Sequence, residues 1–150
     1  MVVSALRDGL SADGLCTTVV ADAGPRIRKL ANVQHLFTPV HAQVAPGRTV
    51  LDLVERLHPT PAVGGHPTPR AMQLLREVES LDRGWYAAPL GWIDANGDGE
   101  FVVGIRSALL RGDQATLFAG CGIMADSDAD RELAESEWKL RVMRQALQPE

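Results

Sequence analysis

Two glutamates and a lysine near the carboxyl end of the chain have the types and spacing to act together on a ligand. Glu132, Glu135 and Lys139 are separated by three and four residues. At about 100° per residue on an α-helix, they fall within ~60° of one another and over the apolar stripe that includes Leu140 and Met143. We therefore expect these three charged side chains to point inward.

The residues that precede the glutamates help to decide whether these charges form a surface ion pair or a ligand-binding site. A plain alternative is a surface Glu–Lys pair four residues apart, worth about 0.2–0.5 kcal/mol. Against it, Gly120 and Gly122 let backbone amides approach a ligand closely, and Ser127 and Asp128 are typical of a helix start. Spacing alone leaves both interpretations open, but the whole group describes a site for an anionic ligand held with a divalent cation.

Three other features could contribute to a site. Arg106 lies in a predicted strand among apolar neighbours, where a guanidinium needs a partner; it is salt-bridged within the protein or directed at an anion, and we favour the anion. His35 is either a catalytic or ligand-contacting imidazole or a hydrogen-bonded strand residue. The segment 57–70 has four prolines and two glycines. It is either a connector or a rigid loop that approaches a ligand at Gly64 and Gly65.

The elements that position these residues alternate between helices and strands. The pattern predicts an α+β fold, with an antiparallel sheet and helices packed on one face, and a hairpin turn at 96–99. Helices are expected over 1–10, 49–57 and 68–81, and a last helix is expected to start among Ser127, Asp128 and Asp130 and to run to Leu147. Strands are expected over 16–21, 32–44, 86–93, 101–110 and 114–124, and a helical turn or loop over 25–30.

Composition excludes several classes of function. A net charge of −4 without a run of Lys or Arg argues against nucleic-acid binding. No apolar run approaches the roughly 20 residues of a membrane span. Cys16 and Cys121 form neither a disulfide framework nor a metal-binding spacing, so we expect reduced thiols in a cytoplasmic protein. A chain of 150 residues fits one domain.

Several motifs along the chain carry a resemblance to a known family. They resemble the C-terminal part of the chorismate-utilising enzymes, and most closely the isochorismate synthases, over nearly the whole chain. The resemblance implies that residues 1–150 are the C-terminal part of a chorismate-binding catalytic domain. The motifs are NVQHLFT at 32–38, HPTPAVGG at 58–65, DRGWYAAPLGW at 82–92, GDGEFVVGIRSALL at 97–110, AGCGIMADSD at 119–128 and ELAESEWKL at 132–140.

The resemblance implies a role for each matching residue. Glu135 corresponds to a Mg²⁺ ligand of the family, with Glu132 beside the metal. The remaining positions correspond to the binding of chorismate or isochorismate. Arg106 and Lys139 would hold substrate carboxylate together with the backbone of Gly120 and Gly122, Tyr86 and Val63 would line the pocket, and His35 would lie near the ring.

The implied reaction interconverts chorismate and isochorismate, with water adding to one ring carbon while a hydroxyl leaves another. Family enzymes are far longer, and their lysine base, glutamate acid and second metal-binding glutamate lie upstream of the segment matched here. We therefore expect no catalytic base or acid in this chain and no activity of the chain alone. Two smaller departures are Cys121, where alanine is usual, and Ser136, where threonine is usual.

Two alternatives stay open. The chain could be a binding or assembly module that completes a site with a separate N-terminal chain. It could also resemble salicylate synthase, which adds lyase chemistry in a similar pocket. The sequence is compatible with either menaquinone or siderophore biosynthesis.

Overall fold

The computed structural model describes residues 1–29 and 34–148. The chain divides into two compact units, one formed by Met1–Met72 and Gly91–Phe101, the other by Gln73–Leu90 and Val102–Glu150. Both contain helices and antiparallel strands, so the predicted α+β class is confirmed. No helix in the described parts of the chain is long and apolar enough to cross a membrane.

The first unit is built around a helix that packs on a strand pair. Helix α1 (Val2–Ser11) contacts strands β1 (Cys16–Ala21) and β4 (Val40–Val44), which pair antiparallel with a bulge near Cys16. The buried centre is Leu10 with Leu15 and Cys16. Partly buried side chains complete this core: Val19, Val40, Val44, Leu53 and Leu57.

Helix α2 (Val50–Leu57) begins where the sequence predicts it, at Thr49. The Thr49 hydroxyl accepts a bond from the backbone N–H of Leu51 at 3.3 Å, and the Asp52 carboxylate accepts from the Thr49 N–H at 2.7 Å. Two orphan donors of the first turn are thereby satisfied. The Pro-rich loop that follows contains a one-turn helix, α3 (Pro61–Gly64), and leads into α4 (Thr68–Val78).

The hairpin turn predicted at Asn96–Gly99 is present. It joins β5 (Pro89–Ile93) to β6 (Gly99–Val103). The Asp94 carboxylate accepts from the backbone N–H groups of Asn96 and Asp98 at 2.8 and 3.1 Å. Gly97 has φ of +88°, a conformation that glycine adopts without steric cost.

In the second unit, a strand pair is followed by the longest helix of the described chain. Strands β7 (Ser107–Arg111) and β8 (Gln114–Phe118) pair antiparallel, and helix α5 (Ala129–Ala146) contacts β8. Residue 87, an alanine, is buried in this unit. The helix lies where the helix-start residues and the apolar spacing predict it, and its cap is Asp128.

The strands differ from the prediction in several places. Residues 26–29, expected to form a turn or loop, are strand β2 (Arg26–Lys29), paired with β3 (Gln34–Phe37). The strand expected over 32–44 is split at Thr38 and Pro39, because proline cannot donate to a ladder; its first two residues lie outside the described residues.

The strand expected over 86–93 begins only at Pro89, the strand expected over 101–110 is interrupted after Val103, and the one expected over 114–124 ends at Phe118. The antiparallel pairing is confirmed, but in the described parts of the chain it forms four two-stranded sheets.

Candidate metal and carboxylate site

Helix α5 begins at the candidate site, and its first turn sets the position of Glu132. The Asp128 carboxylate accepts a bond from the Arg131 N–H at 3.1 Å and so caps the helix. The negative charge of Glu132 lies in the first turn, where the helix dipole stabilises an anion. The helix begins here because Asp128 accepts from Arg131 N–H, one of the backbone donors that the first turn of a helix leaves unpaired.

Glu132 is held by the loop in front of the helix. Its Oε1 accepts a hydrogen bond from Ser127 Oγ at 2.8 Å, and Ser127 Oγ in turn accepts from the Met124 N–H at 3.0 Å. The Cys121 thiol donates to the backbone carbonyl of Glu132 at 3.1 Å. The carboxylate is half-buried and oriented by the protein.

Lys139 joins the helix to the end of the loop. Its Nζ lies 2.6 Å from Glu135 Oε1 and donates to the carbonyl of Gly120 at 2.9 Å. The lysine side chain is only 17% exposed, whereas that of Glu135 is 54% exposed. Glu135 and Lys139 do form the i,i+4 pair of the plain alternative, but the contact with Gly120 gives the ammonium a second, tertiary role.

The inward orientation predicted for the three charged residues is therefore only partly correct. Glu132 and Lys139 are half-buried, but Glu135 is exposed, because its carboxylate turns along the helix surface to reach the ammonium. Leu133, which lies seven residues before Leu140 and so on the same apolar stripe, is 60% exposed. Helical spacing gave the relative positions of the charges but not their depth.

Charge around Glu135 favours its ionised form. The hydrogen bond from Lys139 holds the pKa of Glu135 below its ordinary value of 4.5, and the positive charge of Arg106 acts in the same direction. At neutral pH the carboxylate is therefore available to a cation.

Arg106 does not lie in a strand, contrary to the sequence prediction. It occupies a bend between β6 and β7 and has φ of +50°, which is unusual for a residue with a Cβ. A strand cannot continue through this conformation, so the single strand expected over 101–110 is divided into β6 and β7. Its side chain is half-buried, and its charge reaches Glu135.

A third potential ligand lies beside the two glutamates. Cys121 Sγ and one carboxylate oxygen each from Glu132 and Glu135 all lie within 4.8 Å of one another, in the part of the chain that the structure describes. From the sequence, Cys121 was expected to be only a reduced thiol and a small departure from the alanine that is usual in the family. Its position between Gly120 and Gly122, next to the helix of the glutamates, was the available signal.

Tyr86 lies close to Gly120, and the two glycines differ in the space around them. The Tyr86 ring stacks on Phe118, with centroids 5.4 Å apart, and burial raises the pKa of the Tyr86 hydroxyl. A Cβ at Gly120 would lie 3.1 Å from that hydroxyl oxygen, whereas one at Gly122 would meet open space. The absence of a side chain therefore lets the Tyr86 hydroxyl approach the backbone at Gly120, and no such contact exists at Gly122.

His35 and Val63 belong to the first unit and are described there. His35 is half-buried in β3, opposite Arg28. The Val63 N–H donates to the Thr60 carbonyl at 3.0 Å, inside the turn that forms α3. Their positions near the substrate stay predictions.

Comparison with known proteins identifies the family. Residues 1–148 match the model of the family described as "Chorismate binding enzyme". The chain is 50% identical to isochorismate synthase MenF of Bacillus subtilis over 132 residues, 88% of this chain and 28% of the relative. It is 46% identical to the salicylate biosynthesis isochorismate synthase of Pseudomonas aeruginosa over 147 residues, 98% of this chain and 30% of the relative.

Solved structures agree with the sequence relatives. The structure described as a 2,3-dihydroxybenzoate-specific isochorismate synthase, DhbC, of Bacillus anthracis superposes with a TM-score of 0.92 at 37% identity, covering 97% of this chain and 39% of that one. Anthranilate synthase component I of Streptococcus pneumoniae gives 0.85 at 28% identity, covering 95% and 33%. The chain thus spans well under half the length of these proteins. It belongs to the chorismate-binding enzyme family, and several of its relatives are named isochorismate synthases.

Proposed function

We propose that the chain supplies the metal-binding and carboxylate-binding part of an isochorismate synthase, an isomerase that interconverts chorismate and isochorismate with Mg²⁺. One observation carries this proposal: Glu132, Glu135 and Lys139 gather beside Gly120 in a chain whose relatives carry that name. Chorismate is a dicarboxylate, so its binding requires cations and free backbone donors.

The two glutamates fit the chemistry of Mg²⁺. This ion prefers oxygen ligands and is commonly bound by one or two carboxylates together with water and anionic substrate groups. We assign Glu135 as a ligand and place Glu132 beside the metal; Ser127 and Lys139 already orient these two side chains. When held by these carboxylates, the ion would attract the substrate anion and shield the negative charge of the site.

Lys139 and Arg106 would bind substrate carboxylate. An ammonium has three N–H donors, and the bonds to Glu135 and Gly120 occupy two of them. The third can donate to a substrate oxygen without breaking either contact. We place Arg106 and the backbone of Gly120 and Gly122 around the same group.

The remaining assignments follow from the family resemblance. Tyr86 would line the pocket; its stacking on Phe118 fixes the ring plane, so it presents a rigid wall. Val63 would also line the pocket, and His35 would lie near the substrate ring.

We further propose that these 150 residues do not turn over chorismate by themselves and need the family's N-terminal part, carried on the same polypeptide or on a separate N-terminal chain. The family resemblance places the general base and acid outside the segment matched here, and the chain spans 28% of its Bacillus subtilis relative. Adding water while a hydroxyl leaves requires both proton-transfer groups.

The test compares the purified chain with the chain co-expressed with the part of Bacillus subtilis MenF that precedes the matched region. We expect Mg²⁺-dependent isochorismate formation only from the pair. Isochorismate made by the chain alone would refute the proposed inactivity. A pair that co-purifies but forms no isochorismate would refute the proposed function.

One relative favours a second candidate, because it is a salicylate biosynthesis isochorismate synthase. A salicylate synthase-like enzyme would release pyruvate, which the co-expressed pair can be assayed for directly. Other relatives are named MenF or vibriobactin-specific, so the product could enter menaquinone or siderophore biosynthesis. We place the protein in the cytoplasm, where its two free cysteines would stay reduced.

A further inference from the structure

We propose that the ion pair between Glu79 and Arg83 positions Tyr86, by anchoring the turn that carries the Tyr86 ring in the substrate pocket. The inference deepens the proposed function, because it rests on the pocket role assigned to Tyr86. Glu79 and Arg83 act through Tyr86, so they are positioning residues and do not themselves contact the substrate.

The ion pair is doubly hydrogen-bonded and half-buried. Arg83 Nε and Nη2 donate to the two carboxylate oxygens of Glu79 at 2.7 and 2.6 Å, and the two side chains are 25% and 28% exposed. Two parallel bonds between a planar guanidinium and a carboxylate fix the orientation of both groups. The Glu79 N–H donates to the Leu75 carbonyl at 2.9 Å, so the pair ties Arg83 to the end of helix α4.

Arg83 begins the tight turn that ends at Tyr86. Its backbone carbonyl accepts from the Tyr86 N–H at 2.7 Å, and Gly84 inside the turn has φ of +51°. The Asp82 carboxylate accepts from the Gly84 N–H at 2.9 Å. The position of Arg83 therefore determines where the Tyr86 backbone lies.

The residue after Tyr86 shows that this turn is held by its surroundings. Ala87 is buried and has φ of +63°, a conformation that costs free energy in a residue with a Cβ. Its N–H donates to the Gly104 carbonyl at 2.8 Å, which anchors the turn on its far side. On the near side the anchor is the Glu79–Arg83 pair. Without that pair the strained backbone could relax and the Tyr86 ring could move.

The Tyr86 hydroxyl depends on the turn for its position. In the part of the chain that the structure describes, no hydrogen bond holds this hydroxyl. The ring stacks on Phe118 with planes 17° apart, and the hydroxyl lies close to Gly120. Burial raises the pKa of the hydroxyl, and the positive charge of Arg83 acts against this rise. The stack and the anchored backbone together therefore set where the hydroxyl lies beside Gly120.

The test uses the fact that the chain has one tyrosine. The whole chain is labelled with fluorotyrosine, and its single fluorine NMR signal is recorded for wild type, Arg83→Gln and Glu79→Gln. Arg76→Gln is the control, because Arg76 is an exposed residue of the same helix. Phe118→Leu gives the signal of a Tyr86 ring that has lost its stack.

We expect both ion-pair variants to move the signal toward that of Phe118→Leu, and Arg76→Gln to leave it unchanged. In the co-expressed pair, Arg83→Gln and Glu79→Gln should raise the KM for chorismate at least about tenfold and change kcat by less than about twofold. Circular dichroism checks the fold of each variant, since loss of folded enzyme would lower kcat and not raise KM. If Arg83→Gln does not fold, Glu79→Gln disrupts the same ion pair and gives the same test.

Two results would overturn the inference. One is an unchanged fluorine signal in the folded ion-pair variants, because the ring would then not depend on the pair. The other is a moved signal without a rise in KM, because the position of Tyr86 would then not matter to the substrate. If the signal moves but the co-expressed pair makes no isochorismate even as wild type, the proposed function fails and the positioning of Tyr86 by the ion pair stands.

Discussion

At the scale of single residues, the ammonium of Lys139 dominates the electrostatics of the site. The lysine is half-buried, and its ammonium contacts Glu135 and Gly120 and lowers the pKa of Glu135. A carboxyl group with a lowered pKa stabilises the fold above its unfolded pKa, and this contribution is lost as pH falls through the folded pKa. For Glu135, the pH range in which this stability is lost therefore lies below the ordinary pKa of 4.5.

Replacing Lys139 with methionine tests this coupling. We expect Lys139→Met to raise the pKa of Glu135 toward 4.5, because the largest cause of the lowering is removed. A pH titration of the side-chain carboxyl carbons by NMR measures the pKa. The loss of unfolding free energy below pH 4.5 should also be smaller in the variant than in wild type.

Glu79 is the internal control for the same titration, since Arg83 rather than Lys139 lowers its pKa. Its pKa should be the same in both proteins. An unchanged pKa of Glu135 in Lys139→Met would contradict the account of this ion pair.

Residue types and spacing were enough to identify part of the candidate site. Glu132, Glu135 and Lys139 could be grouped because helical rotation fixes their relative directions. Cys121 could not be recognised as a potential ligand, since its sulfur reaches Glu135 and Glu132 only through the path of the loop. The bend at Arg106 was missed because its apolar neighbours are typical of a strand.

At the scale of elements, the start of helix α5 depends on Asp128. Asp128→Ala should lower the free energy of unfolding by about 1 kcal/mol, because the Arg131 N–H loses its acceptor. Urea denaturation followed by circular dichroism measures the loss. Asp126→Ala, an exposed aspartate before the helix, should change stability by less than about 0.5 kcal/mol; equal losses would rule out a capping role.

The hairpin turn and helix α2 support each other in the first unit. A Cβ at Gly97 would lie 2.8 Å from Thr49 Cγ2, and the Gly97 carbonyl accepts from the Val50 N–H at 2.9 Å. Gly97→Ala should therefore cost about 1–2 kcal/mol for its backbone and about 1 kcal/mol more for the displaced Thr49 cap.

Gly47 provides the matched control for this substitution. Its φ of +80° is close to that of Gly97, but a Cβ there would meet no atom within 4 Å. Gly47→Ala should lose only the backbone part in the same urea denaturation. Equal losses in the two variants would show that the turn does not support the helix cap.

Helix starts and turns could be predicted from the sequence where hydrogen bonds between neighbouring residues determine them. The caps at Thr49 and Asp128 and the turn around Gly97 follow from side chains that bond their own backbone. Strand β2 was missed because Arg26–Lys29 is exposed and lacks apolar alternation. Its pairing with Gln34–Phe37 depends on a partner later in the chain.

At the scale of the whole molecule, apolar side chains lie on the surface of the described chain. Ile27 and Leu36 face each other across β2 and β3 and are 64% and 77% exposed. Such a strand pair offers both a strand edge and an apolar face to another chain. We expect the isolated protein to sediment above its mass of 16.2 kDa as concentration rises.

Leu36→Lys should shift this association toward monomer, because it places a charge on the apolar face. Gln34→Lys, on the same strand, adds the same charge at a polar exposed position and should have a smaller effect. Sedimentation velocity measures both variants. A wild-type protein that stays monomeric at every concentration would contradict the expected association.

Our central proposal is that the first turns of α5 supply the side chains that bind the metal and the substrate carboxylate in an isochorismate synthase. Its most direct test is a Mg²⁺ titration of isochorismate formation by the co-expressed pair, with this chain as wild type, Glu135→Gln or Glu137→Gln. Glu137 is exposed on the same helix. We predict a loss of at least about 100-fold for Glu135→Gln and near wild-type activity for Glu137→Gln; equal activity of the two variants would contradict the claim.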